Sequence, residues 1–432
     1  MKNNVDKNQW LGKIPDSWNL IKGRYLFSQR VERGNSVELQ LLSPTQKYGV
    51  IPQALYEKLS GTSAVKLDEK TKLNMLKTIH KGDFCISLRS FQGGFEYSEY
   101  EGVCSPAYQV FYPIHSVDRQ YYKYLFKDQC FIDKMNSYTL SLRDGKNIAF
   151  ADFGNTYLPV PPIKEQKKIS NLLNKKCMEI EALYSDIEKQ IETLEEYKKS
   201  IITEAVTKGL DPDVEMKDSG IEWIGMIPKH WKVTNLKYLG KCQNGISKGG
   251  EYFGNGFPFV SYGDVYKNYS LPLNVDGLII STKTEQNIYS VKYGDVFFTR
   301  TSETIEEIGF ASTCLKSIDN SVFAGFLIRF RPTSNDLAPE FSKFYFRSNI
   351  HRKFFVKEMN LVTRASLSQN LLGRLPVLLP PVSEQQMIAK DLEERCAEID
   401  GAIEEKKEQL EVLDQYKKSL IYEYVTGKKE VK

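Results

Sequence analysis

The sequence predicts an α+β protein made of two similar halves, each with a globular domain followed by a long coiled-coil helix. Three observations predict it: a duplicated tryptophan phrase, a duplicated helical stretch, and intervening segments rich in glycine, aromatic residues and short β-prone runs. A repeat of this kind indicates the overall architecture without the assignment of any single helix or strand. Because a head-to-tail copy can close on itself, we expect a pseudo-twofold internal repeat in which the two long helices are antiparallel and separate the globular domains.

The tryptophan phrase marks the start of each half. Trp10-Leu-Gly-Lys-Ile-Pro-Asp-Ser-Trp18 returns as Trp223-Ile-Gly-Met-Ile-Pro-Lys-His-Trp231, and the two copies hold all four tryptophans of the chain. The predicted boundaries are a first globular domain at 1–160, a first long helix at 161–210, a second globular domain at 211–379, and a second long helix with a tail at 380–432.

Two further features describe each globular domain. Lys81–Ser87 and Tyr293–Thr299 both read as a Gly-Asp turn followed by a β-prone run. Later in each domain an amphipathic stretch, Tyr121–Met135 or Phe341–Met359, has the spacing of apolar residues that is typical of a helix. Strands and helices are therefore mixed within each domain.

The long helices have the clearest pattern. Residues 165–207 and 384–426 align at a constant shift of 219, with 18 of 43 positions identical. Pro-Pro precedes each copy and a glycine, Gly209 or Gly427, follows it, so the helices have predicted starts and stops. Apolar residues seven apart predict a coiled-coil seam. These are Leu173, Ile180, Ile187, Leu194 and Ile201 in the first copy and Leu392, Ile399, Leu413 and Leu420 in the second, where Lys406 occupies the place of Ile187.

Composition and charge limit the class of protein. The 432 residues are 41% hydrophobic and 12% aromatic with a net charge of +4, which excludes wholesale disorder. No stretch approaches the 18 apolar residues of a membrane span, so we expect a cytoplasmic protein without a membrane partner. The net charge is +8 over the two globular domains and −4 over the two helices. This division is compatible with binding to nucleic acid.

Motifs for catalysis are missing. The sequence has no phosphate-binding GxxxxGK[ST], no GxGxxG after a predicted strand and no GxSxG. Its four histidines and seven scattered cysteines form no CxxC or metal-ligand spacing, so we predict neither catalytic nor metal-binding residues. An alternative is a metal-dependent nuclease built on the acidic run Asp211–Lys217, although its carboxylates lie on an apparent linker.

Polar loops after the predicted strands could contact nucleic acid. Arg, Gln, Asn and Ser side chains read base edges, whereas Lys and Tyr favour phosphates. The candidate contacts are Arg89, Ser90, Gln92, Arg143, Lys146 and Asn147 in the first domain and Lys248, Tyr252, Arg300, Ser302, Thr363 and Arg364 in the second.

Several of these segments together resemble one protein family, the specificity (DNA-recognition) subunits of type I restriction-modification enzymes. The resemblance covers nearly the whole chain in its doubled order. It rests on Lys217–Trp231, the Pro-Pro entries with Glu165-Gln166 and Glu384-Gln385, and the helix ends Tyr197-Lys-Lys-Ser200 and Tyr416-Lys-Lys-Ser419.

The resemblance implies a function without catalysis. Each globular domain would be a target-recognition domain that reads one part of a split, asymmetric sequence in double-stranded DNA. Two methyltransferase (modification) subunits, which bind S-adenosylmethionine, would dock on the helices. ATP-dependent restriction subunits would complete the endonuclease, and this chain would hold no cofactor itself. The alternative from another class is a coiled-coil scaffold joining two protein-binding domains, which predicts no affinity for DNA.

Overall fold

The structure is a computed structural model that describes residues 10–34, 39–62, 73–87, 94–138, 148–302, 308–358 and 365–431. The chain forms two compact units. Unit 1 comprises Met1–Ile187 with Lys407–Lys432, and unit 2 comprises Glu188–Lys406. Each unit combines short strands, short helices and segments of two long helices, which confirms the predicted α+β class.

The first half of the chain contains ten strands and six helices within the described residues. The strands are β1 Asn19–Lys22, β2 Phe27–Gln29, β3 Leu42–Thr45, β4 Gly49–Pro52, β5 Lys77–Ile79, β6 Phe84–Ile86, β7 Phe95–Tyr97, β8 Gly102–Cys104, β9 Gln109–Pro113 and β10 Tyr157–Val160. The helices are α1 Gly23–Leu26, α2 Gln53–Ser60, α3 Arg119–Leu125, α4 Gln129–Asn136, α5 Phe150–Asn155 and the long α6 Ile163–Lys208.

The second half continues this order within the described residues. Its strands are β11 Met216–Asp218, β12 Met226–Pro228, β13 Lys232–Asn235, β14 Gly240–Asn244, β15 Phe253–Val260, β16 Leu278–Ile279, β17 Val296–Thr299, β18 Thr301–Ser302, β19 Ala311–Thr313, β20 Val322–Phe323, β21 Leu327–Pro332, β22 Ala365–Ser366 and β23 Pro376–Leu379. Its helices are α7 Leu236–Leu239, α8 Tyr262–Lys267, α9 Lys283–Ile288, α10 Pro339–Tyr345, α11 Ile350–Glu358, α12 Gln369–Gly373 and the long α13 Val382–Val425.

The same antiparallel sheet recurs in both units. Its strand order is β2-β9-β6-β7 in unit 1 and β14-β21-β17-β19 in unit 2. In each half a second pair, β1–β10 or β13–β23, joins the beginning of the domain to the strand before the long helix. The corresponding topology confirms the predicted internal repeat.

Aromatic side chains fill the core beneath these sheets. In unit 1, Phe27 from β2 contacts Phe84 from β6 and Phe111 from β9 at ring-centroid distances of 5.8 and 5.6 Å. In unit 2, Phe298 from β17 meets Phe346 at 5.4 Å. Since aromatic rings bury large apolar areas and favour edge-to-face contacts, short strands of three or four residues suffice to anchor each sheet.

The long helices begin and end where the sequence predicts. Helix α6 starts directly after Pro161-Pro162 and α13 directly after Pro380-Pro381. The glycines beyond their C-terminal ends adopt left-handed backbone conformations, with φ of 76° at Gly209 and 71° at Gly427. A residue with a Cβ atom is strained there, so glycine provides the stop.

The predicted seam is buried toward the two ends of the helix pair, whereas Ile187, Leu194 and Leu413 are half-buried. In unit 1, Leu173 and Ile180 of α6 share a core with Leu420 of α13. In unit 2, Ile201 of α6 shares a core with Ile399 of α13. Antiparallel pairing is confirmed by the ion pairs along the seam. Within unit 1, Glu181 pairs with Lys417 at 2.9 Å, and within unit 2, Lys198 pairs with Asp400 at 2.5 Å.

The repeated Glu-Gln at each helix start has a structural role. The buried Gln166 side chain accepts a hydrogen bond from the Asp118 backbone N–H at 2.8 Å and donates to the Pro161 carbonyl at 2.8 Å. Gln385 makes the equivalent bonds to Ala338 and Pro380 at 2.8 and 2.9 Å. The amide therefore satisfies buried backbone groups and ties each long helix to its own globular domain.

Each predicted amphipathic stretch is two short helices rather than one. In unit 1 the helical conformation is interrupted between α3 and α4. The Asp128 carboxylate caps α4 there by accepting a hydrogen bond from the Phe131 N–H at 3.3 Å. In unit 2 the break lies between α10 and α11. The apolar spacing is retained across the break, which is why the sequence pattern did not reveal it.

Candidate nucleic-acid interface

The structure describes only part of the predicted contact set. Lys248, Tyr252 and Arg300 lie within the described residues, and for Ser302 the backbone is described. The other candidates lie outside the described residues: Arg89, Ser90, Gln92, Arg143, Lys146, Asn147, Thr363 and Arg364. The geometry of a candidate surface can therefore be built in unit 2.

Two of the predicted loops in unit 2 meet as a small antiparallel sheet. Strand β18 pairs with β22, so that Thr301 faces Ser366 and Ser302 faces Ala365. The Leu367 N–H also donates to the Arg300 carbonyl at 2.8 Å. The chain thus brings the segment after the Gly-Asp strand next to the segment before the helix entry, although they are more than 60 residues apart in sequence.

Arg300 lies where this sheet meets the body of unit 2. Its backbone N–H donates to the Phe326 carbonyl at 2.9 Å, and its Nη1 lies 3.5 Å from the Gly325 carbonyl. Among the described residues, the buried Nε has no hydrogen-bond partner. A guanidinium with unused donors at a loop junction is suited to donate hydrogen bonds to a base edge or phosphate. We call Arg300, Gly325 and Phe326 the Arg300 surface.

Phe326 is a member of this surface that the sequence analysis missed. Its ring is 63% exposed, at the turn between β20 and β21. A Cβ atom at the neighbouring Gly325 would lie 2.3 Å from the Ser247 hydroxyl oxygen, so a larger residue there would require the Ser247 side chain to move. The available signal was the Gly325-Phe326 dipeptide between two apolar runs, since an aromatic side chain presented on a tight turn is suited to contact a groove or a partner.

Lys248 and Tyr252 form a second, more inward-facing group. The Lys248 Nζ donates to the Glu285 carboxylate at 2.8 Å and to the Ile280 carbonyl at 2.9 Å, and lies 5.0 Å from the Tyr252 ring centroid. The hydrogen bond from Lys248 lowers the pKa of Glu285. The Lys248 ammonium is thus paired with a carboxylate inside unit 2, and these contacts hold the glycine-rich loop in place.

The repeated Gly-Asp turn is structural. Asp83 is buried and accepts bidentate hydrogen bonds from Arg30 at 2.6 and 3.0 Å. Asp295 is also buried and accepts two bonds of 2.6 Å from Arg331. Hydrogen bonding to Asp83 raises the pKa of Arg30. Both arginines are therefore held by carboxylates rather than presented to a ligand.

Other arginines of unit 2 are likewise used inside the fold. Arg347 donates to the Tyr266 carbonyl at 2.6 Å, and Arg329 donates to the Ser290 carbonyl at 2.6 Å. Burial lowers the pKa of Arg329 to about 10 and that of Arg352 to about 10. The net charge of the globular segments thus overstates the number of cations available to DNA phosphates.

Among the described residues, no group of three or more His, Cys, Asp or Glu side chains is placed to hold a metal ion. In the acidic run, Asp211 accepts a hydrogen bond from the Asp213 N–H at 3.0 Å, and Lys217 donates to the Trp231 carbonyl at 2.6 Å. These bonds give the run a role in the link before the second tryptophan phrase. In the described part of the chain, no helix is long and apolar enough to cross a membrane.

Comparison with known proteins assigns the family. A family model described as the type I restriction modification DNA specificity domain matches twice, at residues 27–193 and 228–412. The chain is 28% identical over 309 residues to the type I restriction enzyme MjaVIII specificity subunit of Methanocaldococcus jannaschii, covering 68% of each protein. It is 26% identical over 262 residues to the EcoKI specificity subunit of Escherichia coli K12, covering 59% of this chain and 53% of that protein.

The fold has the same relatives. A solved structure described as showing complex assembly and conformational transition of the type I R-M system matches with a TM-score of 0.70 at 13% identity, covering 96% of this chain and 98% of the other. Two copies of one globular domain, combined with two long helices, define a class of two-domain specificity proteins. The chain belongs to the type I restriction-modification DNA specificity family. It is a specificity subunit with two target-recognition domains, which confirms the prediction from sequence over the scaffold alternative.

Proposed function

We propose that this chain selects a two-part, asymmetric sequence in double-stranded DNA and that each globular half reads one part. The observation that carries the proposal is the coincidence of the internal repeat with the two matched family segments, one in each half. The halves share a sheet but differ in their loops, as expected for two modules that read different bases. The net positive charge of both globular segments is consistent with contacts to phosphates.

We also propose that the chain itself is not catalytic and acts through partners. Two methyltransferase subunits would dock on the long helices and would bind S-adenosylmethionine, and restriction subunits would use ATP. The complex would work in the cytoplasm. Support comes from the Tyr-Lys-Lys-Ser motifs, where Tyr416 in unit 1 and Tyr197 in unit 2 are each 52% exposed. Equivalent exposed tyrosines offer equivalent docking points, since tyrosine is enriched at protein interfaces.

The test is a domain exchange read out on DNA methylation. Residues 20–155 are replaced by the matching segment of another specificity subunit, and adenine methylation is mapped across the genome of a host carrying the methyltransferase. We expect one part of the methylated sequence to change while the other part and its spacing stay the same. If both parts change together, or if deleting the gene leaves the methylation pattern intact, the proposed function is wrong.

A further inference from the structure

Unit 1 contains a large open groove that the proposed contacts with DNA do not use. Its volume is about 1110 Å³. One wall is formed by the β3–β4 hairpin and α2, another by α3 and α4, and a third by the segments of α6 and α13 that belong to unit 1. The groove is therefore bounded partly by the helices that we propose as the docking surface for partners.

A buried carboxylate with an unused oxygen lies at the floor of the groove. Glu96, on β7, is 2% exposed and its Oε1 accepts a bond from the Lys127 Nζ at 2.6 Å. Its Oε2 has no hydrogen-bond partner among the residues that the structure describes. Because a buried acceptor is costly to leave unpaired, this atom calls for a donor from whatever occupies the groove.

Most of the other charges around the groove already have ionic partners. Within unit 1, Lys123 pairs with Glu99 at 3.3 Å, Lys417 with Glu181 at 2.9 Å and Lys418 with Asp414 at 2.7 Å. The groove is thus neither a cluster of free cations nor a cluster of free acids. The groove is therefore suited to a ligand that places a hydrogen-bond donor near Glu96 and apolar or aromatic surface along Tyr124, Cys177 and Met178.

The internal repeat identifies the equivalent place in unit 2. The hydrogen bonds that the Asp118 and Ala338 N–H groups donate to Gln166 and Gln385 align α3 with α10. Tyr124 therefore corresponds to Phe344 and Lys127 to Arg347. The shift of 219 along the helices relates Lys198 to Lys417. In the sheets, Glu96 pairs with Cys85, and Ser312 pairs with the corresponding Phe297.

In unit 2 this place is filled by the chain itself. The ring of Tyr269 lies 6.2 Å from the Phe344 ring, 5.3 Å from the Arg347 guanidinium and 5.5 Å from the Lys198 Nζ. Its carbonyl accepts a bond from the Thr313 N–H at 3.0 Å. Burial raises the pKa of Tyr269. One aromatic side chain thus closes the space between the sheet, the short helices and the long helix pair.

The described part of unit 1 has no side chain in that position. Tyr48 lies on the rim, where it is 40% exposed and its ring centroid is 5.4 Å from the Nζ of its neighbour Lys47. Leu59 and Met178 also line the groove, at 52% and 70% exposure. Among the described residues, apolar surface that the chain closes in unit 2 is therefore left open in unit 1.

We propose that a partner protein completes unit 1 by inserting an aromatic side chain between Tyr124, Lys127 and Lys417 and a hydrogen-bond donor toward Glu96. The occupant is a tyrosine-bearing segment of the subunit that docks on the helix pair, which under the proposed function is a methyltransferase subunit. The inference rests on that function and adds an asymmetry to it. Two otherwise equivalent partners are held differently, because unit 1 offers the open groove and, in the described part of the chain, unit 2 does not.

The experiment uses the full chain, purified methyltransferase subunit and isothermal titration calorimetry, which resolves two binding steps. Met178→Trp blocks the groove from its exposed rim. Ala397→Trp, at the equivalent exposed position of α13, is the matched control. We expect Met178→Trp to weaken one binding step about tenfold or more and Ala397→Trp to leave that step unchanged. Glu96→Gln should weaken the same step, whereas Ser312→Ala, its counterpart in unit 2, should not.

The outcomes separate this inference from the proposed function. If wild-type chain binds two methyltransferase subunits and Met178→Trp and Glu96→Gln bind them equally well, the groove proposal is wrong while the function stands. Equal weakening of both steps would also overturn it. A dimer of the chain alone that Met178→Trp dissociates would assign the groove to a second copy instead. If wild-type chain binds no methyltransferase subunit, the proposed function itself fails.

Discussion

Two buried ionisable side chains, one in each unit, respond to pH in opposite directions. In unit 1, burial raises the pKa of Glu96 to about 7, and the ammonium of Lys127 only partly offsets the effect. In unit 2, burial lowers the pKa of His351 to about 3, while its Nε2 lies 2.9 Å from the Tyr345 carbonyl. Through these two groups, a rise in pH therefore lowers the stability of unit 1 and a fall in pH lowers the stability of unit 2.

The effect of Glu96 can be measured with Glu96→Gln. The folded-state pKa lies above the ordinary value of 4.5, so the folded state holds its proton more tightly than the unfolded chain. The contribution of Glu96 to stability is fully present below pH 4.5 and falls as pH rises toward 7, by up to about 3 kcal/mol. In urea unfolding from pH 4.5 to 8, the stability of wild type relative to Glu96→Gln should fall by this amount, because the titrations of Asp128 and His351 are common to both proteins. A difference between the two proteins that stays constant over this range would contradict the assignment.

At the Arg300 surface, the matched pair Arg300→Ala and Lys232→Ala tests contact with DNA. Both remove one positive charge from unit 2, and Lys232 is exposed on β13 outside the candidate set. We expect Arg300→Ala to cost about 1–3 kcal/mol and relax one base if Arg300 reads a base edge, or to reduce the salt slope by about one if it binds phosphate. Lys232→Ala should do neither. Binding is measured on target and non-target duplexes at several salt concentrations. If Arg300→Ala binds as wild type does, Arg300 is not a contact to DNA.

At the scale of elements, the long helices could be predicted almost completely. Heptad spacing, Pro-Pro before each copy and the glycine after each copy are local signals, and local physics determines where a helix begins and ends. Both helices follow these signals. The two short helices in each domain could not be separated by pattern, because the apolar residues keep their spacing across the break at Asp128.

The candidate contact surface was less predictable because its geometry depends on distant partners. The two Gly-Asp carboxylates look alike in sequence, yet Asp83 binds Arg30, which follows β2, and Asp295 binds Arg331, which lies on β21. Similarly, nothing near Lys248 in sequence shows that Glu285 neutralises it. Side chains of one type thus become structural or exposed according to pairing between strands, which sequence spacing does not specify.

At the scale of the whole molecule, the two halves repeat a plan but differ, within the described residues, in how completely each is closed. The same strand order, the same glutamine anchor and the same proline entry recur in both. The loops differ, and so do two equivalent buried residues, Glu96 in unit 1 and Ser312 in unit 2. A duplicated chain can in this way keep common attachment points for partners while each domain changes its ligand contacts independently.

The helix pair is the element on which assembly depends, and Leu194→Asp tests it. Leu194 of α6 packs against the core of unit 2 that contains Ile399 and Ile403 of α13. A carboxylate placed in this seam is desolvated without a partner and should cost a few kcal/mol, enough to separate the helices locally. Thr193→Asp adds the same charge at the adjacent exposed position and is the control.

We expect full-length Leu194→Asp to lose co-purification with the methyltransferase subunits, because their proposed docking surface requires the paired helices. The globular cores contain most of the buried aromatic residues, so the circular dichroism of the sheets and the buried environments of Trp18 and Trp231 should persist. Thr193→Asp should co-purify as wild type does. If Leu194→Asp still assembles and methylates both parts of the target, the seam is dispensable and docking must depend on the globular domains instead.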